Sequence, residues 1–366
     1  MLNKQIISPK QATAFVIAGG VGIIFFWITE ASVAVGGRDA WMSYIIGYGL
    51  GIPIAFSLIA LNKRFPGKTI FQYVPIILGR PLGYFYNLIY IFTFTYFTAL
   101  ILNLSINMIS LFYEETPGLV LTGVSVLLIA YVCKHGIEVF GRVCELFIPL
   151  ILFSIIFMTA TLSPHMELQR LTPILENGVL PVLQLVPQTL SFVGEYIIFM
   201  ALWLPLLKDP KKAYKSVIIG TSISACTYNR TNNWSDCLRG RLRKNLAFSS
   251  IKLTLLTNLP GVEGLPSLTL GIWIIASFVK GTVFFFPSVV GLAQCFNLKD
   301  YRILIWPMAI VVIALSLLPE NYFSSLTENT TLGLYFALPI TLSIPLLLAI
   351  TIIRNLNESN ENNQTS

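Results

Sequence analysis

Long apolar runs recur along almost the whole chain, and they decide which folds are open to it. Runs of about 18 residues or more are long enough to cross the hydrocarbon core of a bilayer as helices. Only 11% of the 366 residues are charged, whereas soluble domains carry roughly a quarter. The runs are continuous rather than alternating, which excludes an outer-membrane β-barrel. The sequence therefore predicts an all-α integral membrane protein.

The apolar runs divide the chain into nine clear membrane spans. They cover about 12–35, 41–61, 82–112, 118–133, 143–162, 180–207, 267–297, 303–319 and 332–353. We expect a single transmembrane domain over residues 1–353, followed by a polar C-terminal tail at 354–366.

Lysine and arginine residues mark alternate connections between the first six spans. These basic residues are Lys4 and Lys10, then Lys63, Arg64, Lys68 and Arg80, then Lys134 and Arg142, then Lys208, Lys211, Lys212 and Lys215. Cytoplasmic connections carry the excess of positive charge in membrane proteins. The pattern predicts a cytoplasmic N-terminus.

The alternation fails beyond Lys215 unless a tenth span lies before residue 268. The candidate, "AYKSVIIGTSISA" (213–225), runs into the polar stretch "CTYNRTNNWSDCLRGRLRKN" (226–245). Each arginine, lysine or aspartate there costs about 2.5–3.5 kcal/mol at mid-membrane depth. As written, this segment is not expected to cross the bilayer.

Three interpretations of residues 226–245 remain open. The stretch is an extramembrane loop after a half-inserted 213–225, a basic interfacial segment, or the product of a shifted reading frame that replaces a span. The onset near Cys226 and the return to apolar sequence near Leu246 are abrupt, which favours the third. The net charge of +7 is spread over short loops, so we expect a lipid bilayer and no nucleic acid as partner.

Two spans contain signals of interrupted helices. Span one carries "IAGGVGIIFF" (17–26), and span six carries "VPQTLSFVGEYIIF" (186–199). Glycines in a membrane helix also allow close helix packing, which explains span one by itself. Interruptions at spans one and six together match the inverted 5+5 repeat of broken-helix transporters. This predicts ten spans, with repeats at about 12–162 and 180–353, and a small charged ligand at the unwound backbone.

Three charged residues lie inside spans, where ionisable groups are functional candidates. Glu195 lies in the predicted break of span six, and we expect it to contact a ligand amine or a proton. Lys280 is its candidate partner in an ion pair, although snorkelling or a structural pair explains this lysine equally well. Glu30 lies late in span one and is expected near the outer interface.

No pattern in the chain indicates an enzyme, a metal site or a cofactor. His135 and His165 are isolated, and the five cysteines lack metal-binding spacing. Span three presents Tyr96, Thr98 and Asn103, which are candidates for a cavity wall or for packing between helices.

The order of several motifs resembles the spore germination permeases, which are the B subunits of bacterial germinant receptors in the amino acid–polyamine–cation transporter superfamily. These motifs are "ISPKQATAFVIAGGVG" (7–22), "LTPILENGVLPVL" (171–183), "SFVGEYIIFMALWLPLLKDPKKAYKSVIIGTSIS" (191–224) and "LPGVEGLPSLTLGIWIIASFVKGTVFFF" (259–286). The resemblance implies a nutrient sensor in the spore inner membrane, with an A subunit and a lipoprotein C subunit. It covers the chain except 226–245, where the family has an apolar span.

The resemblance also implies a ligand site between spans one and six. The residues it places there are Gly19, Gly20, Gly22, Phe192, Gly194 and Glu195, with Tyr96 and Thr282 as walls. Three functions are compatible with the sequence. The first is a receptor subunit that binds an amino-acid germinant, the second is a permease with real uptake, and the third is a structural membrane protein without a ligand.

Overall fold

A computed structural model describes residues 5–21, 35–110, 112, 115–163, 172–238 and 265–356. Within these ranges the chain is helical, and the one β feature is an isolated parallel bridge between Ile7 and Leu207. The helices are α1 (Pro9–Val21), α2 (Ala40–Arg64), α3 (Ile70–Leu78), α4 (Arg80–Ile109), α5 (Gly118–His135), α6 (Ile137–Leu162), α7 (Leu180–Trp203), α8 (Ala213–Leu238), α9 (Leu265–Cys295), α10 (Ile305–Ser316), α11 (Tyr322–Leu332) and α12 (Leu338–Ile353).

Seven helical segments in the described part are long and apolar enough to cross a membrane. They are Gly37–Arg64, Arg80–Ile109, Gly118–His135, Ile137–Thr161, Leu180–Leu206, Leu270–Cys295 and Tyr322–Ile353, with a shorter apolar segment at Tyr301–Ser316. These segments match eight of the nine predicted spans, and the first predicted span is described only up to Val21. The count of ten spans and the two inverted repeats stay predictions.

The helix α7 is continuous, and the predicted interruption at Ser191–Glu195 is wrong. Hydrogen-bonded α-helix runs from Leu180 to Trp203, with Pro187 inside it. Gly194 serves a packing purpose instead, because a Cβ there would lie 2.0 Å from Thr341 Oγ1 on α12. The α1 helix likewise passes through Gly19 and Gly20 to Val21, while Gly22 and Glu30 lie outside the described residues.

The last span begins at Tyr322, ten residues before the predicted start at 332. Asn321 starts it as a helix cap, since its side-chain oxygen accepts a hydrogen bond from Ser324 N at 3.0 Å. A π-helical turn, Gly333–Ala337, then joins α11 to α12. Because the sequence of α11 is largely polar, the apolar runs did not predict this helix.

The α8 helix continues well into the anomalous polar stretch. It runs from Ala213 to Leu238, so residues 226–238 are helical. Residues 239–245 lie outside the described part. Although α8 has span length, it is absent from the segments apolar enough to cross a membrane in the described chain.

The first helix lies among α6, α7 and α8, while α2 packs on α7 and α8. Phe15 on α1 anchors this arrangement. Its ring stacks on Phe140 of α6 at 5.3 Å and meets Phe199 of α7 edge-on at 5.4 Å. Aromatic pairs at such distances add to the packing energy. The middle of α1 is thereby held against α6 and α7.

Short extended segments tie the helices together at the end of the bundle where α1 begins. Ile7 N donates to Leu206 O at 2.9 Å, and Lys208 N donates to Ile7 O at 2.9 Å. Ile6 N also donates to Glu138 Oε1 at 2.6 Å. The segment before α1 is therefore fastened to the end of α7 and the start of α6.

A second clasp joins the start of α2 to the loop before α7. Arg38 pairs with Glu176 at 2.7 Å and donates to Thr172 O at 2.5 Å. The buried Asp39 accepts from Leu175 N at 3.1 Å. This arrangement, which we call the loop clasp, holds residues 172–178 over the beginning of α7.

Candidate functional site

The site is built around the last turn of α1. The helix begins with a capping box, because Gln11 N donates to Ser8 Oγ at 3.1 Å and Ser8 N donates to Gln11 Oε1 at 2.9 Å. The carbonyl oxygens of Gly19 and Gly20 both accept hydrogen bonds from side chains of other helices.

Gly19 and Gly20 bring α1 into close contact with two neighbours. A Cβ on Gly19 would lie 2.6 Å from Tyr196 Cβ and 3.0 Å from Tyr196 Cα on α7. A Cβ on Gly20 would lie 2.4 Å from Ser224 Oγ on α8. A side chain at either position would push the helices apart, so the glycines provide the close packing that the motif alone favours.

Lys280 on α9 joins three helices at this point. Its ammonium nitrogen lies 2.6 Å from Glu195 Oε2 on α7, and it donates a hydrogen bond to Gly19 O on α1. The same nitrogen lies 4.9 Å from the centre of the Phe284 ring, which adds a cation–π contact.

Both members of this pair are almost fully buried, with exposed fractions of 1% for Lys280 and 3% for Glu195. Removing one partner of a buried ion pair leaves an uncompensated charge, which costs about 3–5 kcal/mol. Replacing both partners by apolar residues is often neutral for stability. The pair therefore contributes little to stability by itself. Its ammonium group can pair with an anion and its carboxylate group with a cation inside the bundle.

The other predicted ligand residues make different contacts. Gly194 faces Thr341 on α12. Thr282 is buried and donates within its own helix to Phe278 O at 2.8 Å. Phe192 is buried on α7, one turn before Glu195. The structure thus brings Gly19, Gly20, Glu195 and Lys280 together, while Gly194 faces α12 and Thr282 bonds within α9.

Tyr96 belongs to a polar contact between α4 and α11. Its hydroxyl group donates to Glu328 Oε2, and Ser325 on the same helix donates to Asn103 Oδ1. Asn103 also donates to Ser316 O at 2.8 Å. This network fixes the early part of the last span, so Tyr96 acts there as a link between helices.

Sequence reasoning missed several polar residues near the end of α1. Tyr48 donates to Gly20 O at 3.4 Å, and Tyr196 shares a hydrogen bond of 2.9 Å with Thr221 on α8. Thr221, Ser224 and Tyr228 recur at intervals of three and four residues, which places them on one helix face. This spacing could have predicted the shared helix face from the sequence. The polar stretch that begins at Cys226 interrupted the pattern.

The sequence matches the family model described as "Spore germination protein" over residues 6–324. "Spore germination protein KB" of Bacillus subtilis strain 168 is 26% identical over 96% of this chain and 96% of its own length. "Spore germination protein YndE" of the same organism is also 26% identical, over 94% and 95%. The relatives therefore align along nearly their whole length.

Solved transporter structures share the fold. The complex of MhsT with L-phenylalanine has a TM-score of 0.75 at 10% identity, covering 95% of this chain and 89% of that one. Mhp1, a nucleobase–cation-symport-1 family transporter, has a TM-score of 0.66 at 13% identity, covering 94% and 78%. The prediction of an all-α membrane fold of the transporter type is confirmed.

Proposed function

The chain belongs to the spore germination protein family, and we propose that it is a nutrient receptor subunit that binds a small amino-acid germinant at the end of α1. The observation that carries this proposal is the buried contact of 2.6 Å between Glu195 and Lys280, which also reaches Gly19 O. It supplies one anionic and one cationic group at a single place among three helices.

A zwitterion is the ligand class that such a pair binds with the smallest electrostatic penalty. When an α-amino acid enters, its ammonium group pairs with Glu195 and its carboxylate pairs with Lys280. Two ion pairs then replace one, and the net charge of the buried site does not change. A ligand with a net charge would leave one charge unpaired in a medium of low dielectric constant, which is strongly unfavourable.

Ligand binding at this position is coupled to the position of α1. If the ammonium group of Lys280 turns to the ligand carboxylate, Gly19 O loses the hydrogen bond that holds it to α9. The ligand then favours a conformation in which α1 has moved, because its contacts differ between the two states. A receptor subunit can pass such a movement to neighbouring proteins.

The cellular setting is part of the proposal. Membership of the family and its curated relatives support a place in spore germination. We place the protein in the spore inner membrane with its N-terminus in the cytoplasm, in a complex with A and C subunits. The basic connections after α2, α5 and α7 support this orientation.

A working amino-acid permease is the second candidate, because the fold is shared with transporter structures that include a Na⁺-coupled sialic acid symporter. Both functions use the same site and differ in whether the ligand crosses the membrane. Purified protein in liposomes distinguishes them when uptake of labelled L-amino acids is measured. We expect no uptake above that of protein-free liposomes, and saturable uptake would favour the permease.

Germination of spores tests the receptor function itself. Spores that carry Glu195→Gln are expected to lose the response to amino acids while the protein stays at normal abundance in the membrane. Glu145→Gln is the matched control, since Glu145 lies in the third turn of α6, three residues after Arg142 in sequence. An unchanged response in the Glu195→Gln spores would contradict the proposal and favour a structural role without a ligand.

A further inference from the structure

Three tyrosines form a buried cluster beside the end of α1. Tyr44 and Tyr48 lie one turn apart on α2, and Tyr228 of α8 packs against both of them. The ring centre of Tyr228 is 5.2 Å from that of Tyr44 in a stacked arrangement and 5.5 Å from that of Tyr48. All three side chains are buried. We call this cluster the tyrosine wall.

The tyrosine wall contacts α1 one residue beyond the contact made by the ion pair. The Tyr48 hydroxyl donates to Gly20 O at 3.4 Å, and Lys280 donates to the preceding carbonyl oxygen, that of Gly19. Two adjacent residues of α1 therefore contact the wall and the ion pair.

Ser224 connects the wall to the end of α1. It lies one turn before Tyr228, is fully buried, and faces Gly20. Its hydroxyl oxygen has no hydrogen-bond partner in the described part of the chain. A buried polar group without a partner is unfavourable, so this hydroxyl is a group that a bound ligand would satisfy.

Building on the proposed function, we infer that the tyrosine wall receives the side chain of the bound amino acid and that Ser224 donates to its carboxylate. Glu195 and Lys280 bind the charged groups common to all α-amino acids, and the wall selects among the side chains. No residue of the wall was predicted as a ligand contact, and Tyr228 lies inside the polar stretch 226–245.

The chemistry of the wall defines the preferred side chain. Aromatic faces offer apolar contact area, and they carry partial negative charge that repels an anionic group. A cationic side chain would gain a cation–π contact, but it would add an unpaired charge to a buried site. The preferred ligands are therefore amino acids with uncharged, apolar side chains, such as L-alanine, L-leucine or L-phenylalanine.

Binding to the purified full-length chain tests the inference. The probes are L-alanine, L-leucine, L-phenylalanine, L-aspartate and L-lysine, with affinities measured by isothermal titration calorimetry in detergent. Tyr228→Leu is expected to change the ratio of the affinities for L-alanine and L-phenylalanine by at least about 10-fold, since small changes in an apolar pocket discriminate to this degree. Tyr131→Leu, a change of an exposed tyrosine on α5, is the matched control and should leave the ratio unchanged.

Ser224→Ala provides a second measurement that keeps the volume of the site almost constant. It is expected to weaken the binding of every amino acid by about 10-fold, because a hydrogen bond to a charged group is lost. Size-exclusion profiles of all variants verify that the protein is folded. If Tyr228→Leu aggregates, the affinities of Tyr44→Phe and Ser224→Ala test the inference in its place.

The outcomes separate this inference from the proposed function. If the wild-type protein binds none of the five amino acids, both the proposed function and the inference fail. If binding requires Glu195 but the folded variants of the wall and Ser224 keep the wild-type affinities and their order, only the tyrosine wall is overturned. Tight binding of L-aspartate or L-lysine would also contradict the stated ligand class.

Discussion

Lys280 on α9 lies 2.6 Å from Glu195 on α7, and its ammonium group also donates to Gly19 O on α1. One buried side chain thus connects three helices that are distant in sequence. A change at this point affects the position of each of them.

Single and double substitutions at the ion pair should differ in their effects on stability. Lys280→Met leaves Glu195 without a partner and is expected to lower the free energy of unfolding by about 3–5 kcal/mol. Lys280→Met combined with Glu195→Leu removes both charges and should recover most of that loss. Thermal unfolding in detergent measures both effects, and a double variant as unstable as the single one would contradict the assignment of a simple pair.

The same variants separate stability from function. The double variant is expected to be folded and abundant but unable to respond to an amino acid, because neither charged group of the ligand has a partner. A nutrient response in spores that carry the double variant would show that the pair is structural.

Gly19→Ala is expected to destabilise the protein because the new methyl group meets the backbone of Tyr196 at 3.0 Å. Inserting a group into a tightly packed contact costs about 1–3 kcal/mol. Gly49→Ala on α2 is the matched control, since no atom lies within 4 Å of a Cβ at that position. Equal unfolding temperatures for the two variants would contradict the close packing of α1 on α7.

The loop clasp predicts a local effect with little change in overall stability. Arg38 and Glu176 are partly exposed, with exposed fractions of 32% and 49%, and such pairs contribute at most about 1 kcal/mol. Arg38→Gln should therefore increase deuterium uptake in residues 172–178 while the unfolding temperature changes little. Asp209→Asn, which removes another exposed ion pair, is the control and should leave uptake in that loop unchanged.

The polar stretch at 226–245 predicts a fault in membrane insertion. Its charges make a membrane crossing costly, so we expect the helices after residue 225 to insert poorly or in the wrong orientation. Labelling of Cys295 in intact cells reports their topology, and normal labelling with normal abundance would contradict this prediction.

The nucleotide sequence around codons 225–246 tests the reading-frame interpretation, which requires an insertion and a compensating deletion that together restore an apolar helix.

The sequence predicted the spans well because the thickness of a bilayer sets a strict length for an apolar helix. The helices α4, α5 and α9 begin and end within about three residues of their predicted limits. Glu195 and Lys280 were recognisable because charged residues are rare inside spans. Burial in a membrane makes such residues conspicuous without any knowledge of the fold.

Other features depend on contacts that only the fold provides. Gly194 was interpreted as a break in α7, but it accommodates Thr341 of a helix about 150 residues away in the sequence. Tyr44 and Tyr48 resemble ordinary packing residues in an apolar helix until Tyr228 and Gly20 O are placed beside them. The α11 helix was missed because its polar residues are satisfied by Tyr96 and Asn103 of α4.

The affinity of a labelled amino acid for the wild-type protein and for Glu195→Gln tests the central claim most directly. The measurement uses L-alanine, with propionate and ethylamine as analogues that each lack one charged group. The account predicts that wild-type protein binds L-alanine and neither analogue, and that Glu195→Gln loses L-alanine binding while remaining folded. Equal affinity of the two proteins for L-alanine, or binding of propionate as tight as that of L-alanine, would contradict it.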